Sequence, residues 1–277
     1  MDYLDNPIDF NNPRIASVFD EVSYWASHFA HLIFQHLELR PNLNVLDIGC
    51  GTGVPLFELA HIHGSTCQFT GVDIWQEALD RAALKLDVYG LTNVTLLKID
   101  GNTLPFPDAH FDLIVSNLGV NNFDNPEAML TQCARIAKRD ARLVITTNIV
   151  GHMREFYEIY RQVLTDFGKP EYLERLAANE EHRSTRESLT RRLENADFRI
   201  SKVIEDSFTL RYLDGRAFLH HWFIRLGFID QWRKVVDKDD ERAVFADLET
   251  RLNEYAQRHG ELKLTVPMLY VEGIRAV

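Results

Sequence analysis

The chain alternates short apolar runs of strand length with longer stretches in which apolar residues recur every three or four positions. The first run is Asn44-Val45-Leu46-Asp47-Ile48, entered through a turn at Arg40-Pro41-Asn42. After it the spacing predicts a helix over 55–63, a strand over 69–74, a helix over 76–89 and a strand over 93–99. Phe111 to Ser116 reads as a fourth strand, 126–138 as a helix and Arg142 to Thr147 as a fifth strand. Strands alternating with helices need right-handed crossovers, and these lay down a parallel sheet covered on both faces. The first half therefore predicts an α/β, doubly wound architecture.

Beyond residue 150 the rhythm changes. Met153, Phe156, Tyr157, Tyr160, Val163, Leu164 and Phe167 share one helical face, and helices are predicted over 171–181, 184–195, 216–232 and 241–258. Phe198 to Leu210 contains one or two strand-like runs. Leu262 to Ile274 is a final strand in which Pro267 predicts an edge, an end or a bulge. Upstream, residues 13–39 read as one or two helices. Ile15, Val18, Phe19 and Val22 form one apolar face there, and Phe29, Leu32, Ile33, Leu37 and Leu39 form another. No repeat, low-complexity tract or flexible linker interrupts the chain, so a single domain over 1–277 is expected.

Composition narrows the function classes. Of 277 residues 45% are hydrophobic and 26% charged, ordinary values for a soluble globular protein. The formal charge of -11, without any basic block, argues against nucleic acid as a partner, because a grip on phosphates needs clustered Lys and Arg. Cys50, Cys67 and Cys133 have neither a disulfide pattern nor metal-ligand spacing, so reduced thiols, a cytoplasmic setting and no metal are expected. The start Met1-Asp2-Tyr3-Leu4-Asp5 lacks the basic flank and apolar run of a leader, and no uncharged apolar stretch reaches about 18 residues. A membrane span is not expected.

The chemistry gathers after the first strand. In Asp47-Ile48-Gly49-Cys50-Gly51-Thr52-Gly53 the glycines allow a tight strand-to-helix turn that a ligand can approach closely. The N–H groups of the turn and of the following helix can receive a carboxylate, and Asp47 can attract an ammonium directly or through water, so one loop can hold an amino-acid zwitterion. Such a turn alone is weak evidence, since dinucleotide sites use similar geometry. Two further carboxylates extend the pattern. Asp73 ends the second strand, where it can accept two ribose hydroxyls, and a nicotinamide dinucleotide would also take an acid there. Asp100, followed by Gly101 and Asn102, ends the third strand and can accept from an adenine amine.

With the glycine turn, Gly71-Val72-Asp73, Asp100-Gly101 and Leu104-Pro105-Phe106-Pro107-Asp108 running into Phe111-Asp112, the chain resembles the class I S-adenosylmethionine-dependent methyltransferases. Its closest likeness is to the ubiquinone and menaquinone biosynthesis C-methyltransferases, over roughly residues 40–150. The resemblance implies a mainly parallel seven-stranded sheet with a reversed terminal hairpin and helical cap elements. It implies that Asp47, Gly49, Cys50, Gly51 and Gly53 hold the methionine part of S-adenosylmethionine. Asp73, Ile74 and Trp75 would hold the ribose and flank the nucleoside, Asp100, Gly101 and Asn102 would lie at the adenine, and Asn117 and Leu118 at the methionine side. It also implies a cofactor-binding core over 40–150, a helical lid over 13–39 containing Phe19 to Trp25, and a terminal strand over 262–277. Helical insertions over 151–182 and 215–260 are expected to shape an acceptor pocket. Two departures stand out: Asn121-Asn122-Phe123 where relatives often carry two histidines before an aromatic residue, and Lys138-Arg139-Asp140-Ala141 where they often carry Pro-Gly-Gly.

The expected activity is in-line methyl transfer to a small, partly apolar organic acceptor, with S-adenosylhomocysteine as the other product. Tyr24, Trp25, Asn121, Asn122, His152, Phe156, Tyr157, Tyr160 and His221 are candidate acceptor contacts. No definite catalytic residue emerges, with His221 and Tyr24 the only candidates for a general base. For each of these the plainer reading is packing or surface: the Phe156, Tyr157 and Tyr160 stripe has helical spacing, and His152 is a polar residue next to it. Residues 216–232 and 241–258 can equally form a subunit interface, so a homo-oligomer stays open. Two alternatives remain in other classes: an NAD-dependent oxidoreductase, and an adenosyl-binding scaffold that no longer transfers methyl groups.

Overall fold

The computed structural model describes residues 2–5, 8–19, 24–181 and 183–276. Its seven strands are β1 (Asn44–Ile48), β2 (Gln68–Asp73), β3 (Val94–Lys98), β4 (Phe111–Asn117), β5 (Ala137–Asn148), β6 (Phe198–Tyr212) and β7 (Leu262–Arg275). They form one sheet in the order β3-β2-β1-β4-β5-β7-β6. β1 pairs in parallel with β2 and β4, β2 with β3, and β4 with β5, whereas β7 runs antiparallel to β5 and β6 completes the reversed terminal hairpin. This is the class I methyltransferase arrangement expected from the sequence.

The helices are α1 (Asp2–Asp5), α2 (Pro13–Ser17), α3 (Tyr24–His36), α4 (Leu56–His63), α5 (Gln76–Tyr89) and α6 (Pro126–Ile136). In the second half follow α7 (Arg154–Phe167), α8 (Pro170–Glu181), α9 (Arg186–Asn195), α10 (Gly215–His220), α11 (Trp222–Gly227), α12 (Ile229–Arg233) and α13 (Glu241–His259). β1 and α5 have the bounds that the hydrophobic pattern predicts. Residues 20–23, in the middle of the expected lid motif, lie outside the described residues.

Two compact units divide the chain. The sheet unit comprises Phe10–Asn148, Ser184–Asp206 and Met268–Val277; the helical unit comprises Met1–Asp9, Ile149–Arg183 and Ser207–Pro267. In the sheet unit β1, β4 and most of β5 are buried without alternation, which requires cover on both faces. β6 is one of the two edges, and its Arg199, Lys202, Glu205 and Asp206 give it the charged character that discourages edge-to-edge pairing. Pro267 lies one residue outside the register that β7 shares with β5, which begins at Met268, so its missing N–H removes no bond to β5.

Two elements differ from the pattern's expectation, each for a local reason. β5 begins at Ala137, five residues early, and its register with β4 shifts between Phe111 and Leu113. The extra residues around Asp140, which has φ +62°, form an irregularity where relatives place a glycine turn. The helix expected over 216–232 is three short helices. His221 is extended (φ -60°, ψ 132°) and Phe228 departs from helical angles, so the axis turns twice. A single straight helix would bury only one stripe, whereas the three pieces bury Phe218, Leu219, Ile224, Phe228, Ile229 and Trp232 together.

The helical unit is held by an aromatic core. Phe156 packs its ring 4.1 Å from Trp232 and 5.4 Å from Phe218, and Tyr160 donates a 2.9 Å hydrogen bond to the Trp232 carbonyl while sitting 6.0 Å from the Phe245 ring. α10 approaches α13 closely because Gly215 has no side chain; a Cβ there would stand 2.3 Å from Leu252 Cβ and 3.1 Å from the Glu249 carbonyl. Gly71 in β2 is confined in the same way by Leu56 and Cys50, at 2.5 and 2.9 Å. Gly215→Ala and Gly71→Ala are each expected to lower unfolding free energy by about 1–3 kcal/mol through overpacking, whereas Gly227→Ala, whose Cβ would meet only the Phe223 ring at 3.7 Å, is expected not to lower it. Urea unfolding followed by circular dichroism measures all three, and wild-type midpoints for the first two would refute this packing.

Candidate functional site

Asp47 is the fourth residue of β1, and β1 is flanked by β2 and β4, with Gly71 and Val115 opposite Asp47 in register. A central strand takes its side chains away from water, and Asp47 is 0% exposed. Neither of its carboxylate oxygens has a hydrogen-bond partner. Burial pushes its pKa up to about 8; the nearby charge of Asp73 adds to the rise, and the Leu56 backbone N–H, outside hydrogen-bond geometry, opposes it. A buried acceptor without a donor is costly, and an arriving ammonium would relieve that cost.

The turn after β1 wraps this carboxylate. Gly49, Gly51 and Gly53 all have positive φ, at 77°, 51° and 106°. At Gly53 a Cβ would collide with the Phe57 ring at 2.1 Å, while at Gly51 nothing lies within 4 Å. The turn's amides are spoken for: Gly49 and Cys50 donate to the Val72 carbonyl, Gly53 donates to the Cys50 carbonyl, and Gly51 donates to Asp73 Oδ2 at 2.8 Å. The expected use of these four amides to receive a carboxylate thus finds them already bonded within the protein. Cys50 turns its thiol against Gly71, buried at 1% exposure, and burial raises its pKa well above the ordinary thiol range, with Asp47 and Asp73 adding to the rise.

Asp73, at the end of β2, is tied on both sides. Oδ2 accepts from Gly51 and Oδ1 from the Trp75 backbone N–H, also at 2.8 Å, which leaves further lone pairs on a fixed carboxylate. Ile74 beside it is 67% exposed, an apolar surface. The Trp75 indole is engaged by the N-terminal segment: Nε1 donates to the Phe10 carbonyl at 2.9 Å, and the Phe10 and Phe19 rings meet it edge-on. In the loop after β3, Asp100 Oδ1 accepts from both the backbone and side chain of Asn102, and Asn102 Oδ1 is buried without a partner. Gly101 is confined by Phe123 and Ile48, at 2.7 and 2.9 Å from a Cβ.

Asn117, buried at the end of β4, accepts from Thr146 Oγ1 at 2.7 Å and donates to the Ala26 carbonyl at 3.2 Å, fastening β4 to β5 and α3. Leu118 takes φ +65°. Asp47, Asp73, the Asp100 loop and Asn117 thus stand at the carboxyl ends of four adjacent strands, around the β1–β4 boundary where strand order reverses. In open α/β sheets that switch point is where ligands bind. Sequence reasoning missed Ser116, whose hydroxyl donates to the Ile48 carbonyl at 2.9 Å, and Gly119, where a Cβ would lie 2.3 Å from that hydroxyl. Glycine after a polar strand end was the available signal.

The acceptor candidates belong to both units. Tyr24 is 63% exposed with its ring edge-on to His28, and Trp25 is buried against Phe29. Asn122 donates to the Leu118 carbonyl, and the Asn121 side chain lies outside the described residues. Phe156, Tyr157 and Tyr160 lie in the core of the helical unit, as does His152. His221 is an exposed residue edge-on to Tyr212, and partial burial lowers its pKa. Among the described residues no group of three or more His, Cys, Asp or Glu is arranged to hold a metal ion, and no helix is long and apolar enough to cross a membrane.

Comparison with known proteins agrees with the fold. The family described as a methyltransferase domain matches residues 39–197. A ubiquinone/menaquinone biosynthesis C-methyltransferase of Shewanella pealeana is 35% identical over 125 residues, covering 44% of this chain and 50% of that protein. The chain spans about half the length of the curated relatives it matches. Among solved structures, an S-adenosylmethionine-dependent methyltransferase of Aquifex aeolicus superposes with TM-score 0.54 at 24% identity, covering 70% of this chain and 92% of its own. The YcgJ protein of Bacillus subtilis gives TM-score 0.59 at 17% identity, covering 91% and 99%. Those two likenesses concern the fold; the family match, which extends over more than half of the chain, shows that it belongs to the methyltransferase-domain family.

Proposed function

We propose that this chain transfers a methyl group from S-adenosylmethionine to a small, partly apolar organic acceptor. The observation that carries the reading is Asp47, a fully buried carboxylate with two orphaned oxygens at the strand-order switch point. The residues present fit the cofactor. Asp47 would accept from its ammonium, Asp73 from the ribose hydroxyls with the lone pairs its two backbone bonds leave over, and Asp100 Oδ2 from the adenine amine. Ile74 offers the base an exposed apolar surface, and open space at Gly51 admits a close approach. When bound, S-adenosylmethionine supplies a methyl group on a sulfonium that leaves as a neutral thioether.

What the protein contributes is alignment and fixed charge. Asp73 is held by two amides before any ligand arrives, so little ordering remains to be done there. Asn117 is held likewise by Thr146 and Ala26. No side chain is assigned as a general base, and neither His221 nor Tyr24 is singled out by its surroundings. Because the matched relatives are C-methyltransferases by name, activated carbon heads the acceptor screen, followed by oxygen, nitrogen and sulfur nucleophiles.

Calorimetry is expected to give micromolar or tighter binding of S-adenosylmethionine and S-adenosylhomocysteine, and none of NADH; a folded sample that ignores both adenosyl ligands would sink the reading. Production of S-adenosylhomocysteine across the acceptor screen then separates an enzyme from an adenosyl-binding scaffold.

Asp47→Asn is expected to weaken S-adenosylhomocysteine binding about 10- to 100-fold, the order of a hydrogen bond to a charged group. The same variant should stabilise the free protein at pH 8. Asp47 has its pKa raised by folding, so its contribution to stability is full below about pH 4 and is lost as the pH rises through about 8. Denaturant midpoints of both proteins at pH 5 and pH 8 measure this, and a variant less stable at pH 8 than wild type would contradict it.

The ammonium should also pull the Asp47 pKa down. At pH 7 the free carboxyl is mostly protonated and the liganded one ionised, so binding should release a proton. Calorimetry at pH 7 in two buffers of different ionisation enthalpy should show a dependence on buffer that Asp47→Asn abolishes. An enthalpy equal in both buffers for wild type would rule the coupling out.

A further inference from the structure

The fifth strand carries a side chain that no ligand need touch but that decides what the fourth strand offers one. Asp47 pairs in register with Val115, so Asn117, two residues further along β4, points to the face of the sheet that Asp47 occupies. Thr146 of β5 is opposite Asn117 in register and shares that face. Asn117 is 7% exposed and Thr146 is 0% exposed, so their orientations are set by partners within the protein.

The direction of the Asn117 amide follows from those partners. The Ala26 carbonyl of α3 can only accept, so the atom 3.2 Å from it is the amide nitrogen. The Thr146 hydroxyl donates to the amide oxygen at 2.7 Å. One N–H of Nδ2 therefore goes to Ala26, the oxygen is turned to β5, and a second N–H is left over. The Thr146 backbone is fixed as well, because its carbonyl accepts from the Leu118 N–H at 2.8 Å. With the Gly49, Cys50, Gly51 and Gly53 amides bonded within the protein, a carboxylate arriving beside Asp47 needs a donor from elsewhere. The left-over N–H of Asn117 belongs to a side chain on the same face.

We propose that Thr146 is a positioning residue: its hydroxyl holds the Asn117 oxygen on β5, so that Asn117 offers an N–H to the carboxylate of a ligand whose ammonium is on Asp47. The site then selects an α-amino-acid end over an amine alone. This inference rests on the adenosyl-ligand reading and deepens it, through a residue that itself touches no ligand. Without the hydroxyl, Asn117 Oδ1 would be a buried acceptor with no donor. Turning that oxygen toward the ligand's ammonium would relieve the cost and take the N–H away from the carboxylate.

The test uses the full chain and two ligands, S-adenosylhomocysteine and its decarboxylated analogue, in which an aminopropyl group replaces the amino acid. Wild type is expected to bind S-adenosylhomocysteine at least about tenfold more tightly than the analogue, the order of a hydrogen bond to a charged group. Thr146→Ser, which keeps the hydroxyl, should retain that preference, and Thr146→Val, which keeps the shape, should lose it while still binding both ligands. The Asn117 side-chain amide protons, assigned as the pair lost in Asn117→Asp, give a reading on wild type that does not need the valine variant to fold. One of them should move downfield with S-adenosylhomocysteine and stay in place with the analogue. Equal binding of the two ligands by wild type, a preference that survives Thr146→Val or is lost in Thr146→Ser, or stationary amide protons would each overturn the inference and leave the adenosyl reading standing. A folded wild type that binds neither ligand would remove both together.

Discussion

A carboxylate removed from water and given no hydrogen-bond donor is expensive for any fold, and the sheet unit is built around one. Asp47 occupies the central strand because β1 carries Val45, Leu46 and Ile48 beside it and is paired on both edges. Burial of those three apolar side chains takes the carboxylate in with them. Because both faces of β1 are covered, neither face of the strand offers Asp47 a route to water. The turn that follows it carries three glycines at positive φ and fixes Asp73 through the Gly51 amide.

The second constraint is that the turn must satisfy itself before it serves a ligand. Gly49 and Cys50 share the Val72 carbonyl, and Gly51 is held by Asp73. The loop is thus tied to β2 at three points and does not depend on a cofactor for its shape. Asp73 in turn owes its orientation to the backbone of Gly51 and Trp75. The Asp73 carboxylate thus organises the loop after β1 and still keeps further lone pairs. Preorganisation of this kind lowers the ordering cost of binding.

What could be read from the chain follows from the range over which each signal acts. The Asp47 to Gly53 turn, Asp73 and Asp100 are legible because each ends a strand whose apolar run is visible in a few consecutive residues. β1 and α5 were legible to the residue for the same reason. The broken helix after Gly215 was not, because its apolar residues fit a helical period locally while the turns at His221 and Phe228 answer to burial of the whole aromatic core. The aromatic core of the helical unit was least legible: Phe156, Phe218, Trp232 and Phe245 come from four different helices, and no spacing joins them. That the Gly49, Cys50, Gly51 and Gly53 amides are bonded within the protein was not legible, because spacing reveals where N–H groups lie and never which oxygen has already claimed them.

The departures from the family pattern can be weighed in the same terms. Where relatives often carry two histidines and an aromatic residue, Phe123 keeps the aromatic position, and its ring fills the space that a side chain at Gly101 would need. The loop bearing Asp100 is therefore seated on Phe123, and that packing demands an aromatic ring and a glycine without demanding the histidines before it. Asn122 uses its amide to hold the Leu118 carbonyl, a backbone role open to several polar side chains. Around Asp140 the additional residues are absorbed as an irregularity in β5, and from Arg142 onward the strand rejoins β4 in regular register as far as Asn117. Both departures thus leave the strand ends that carry Asp47, Asp73, Asp100 and Asn117 in place.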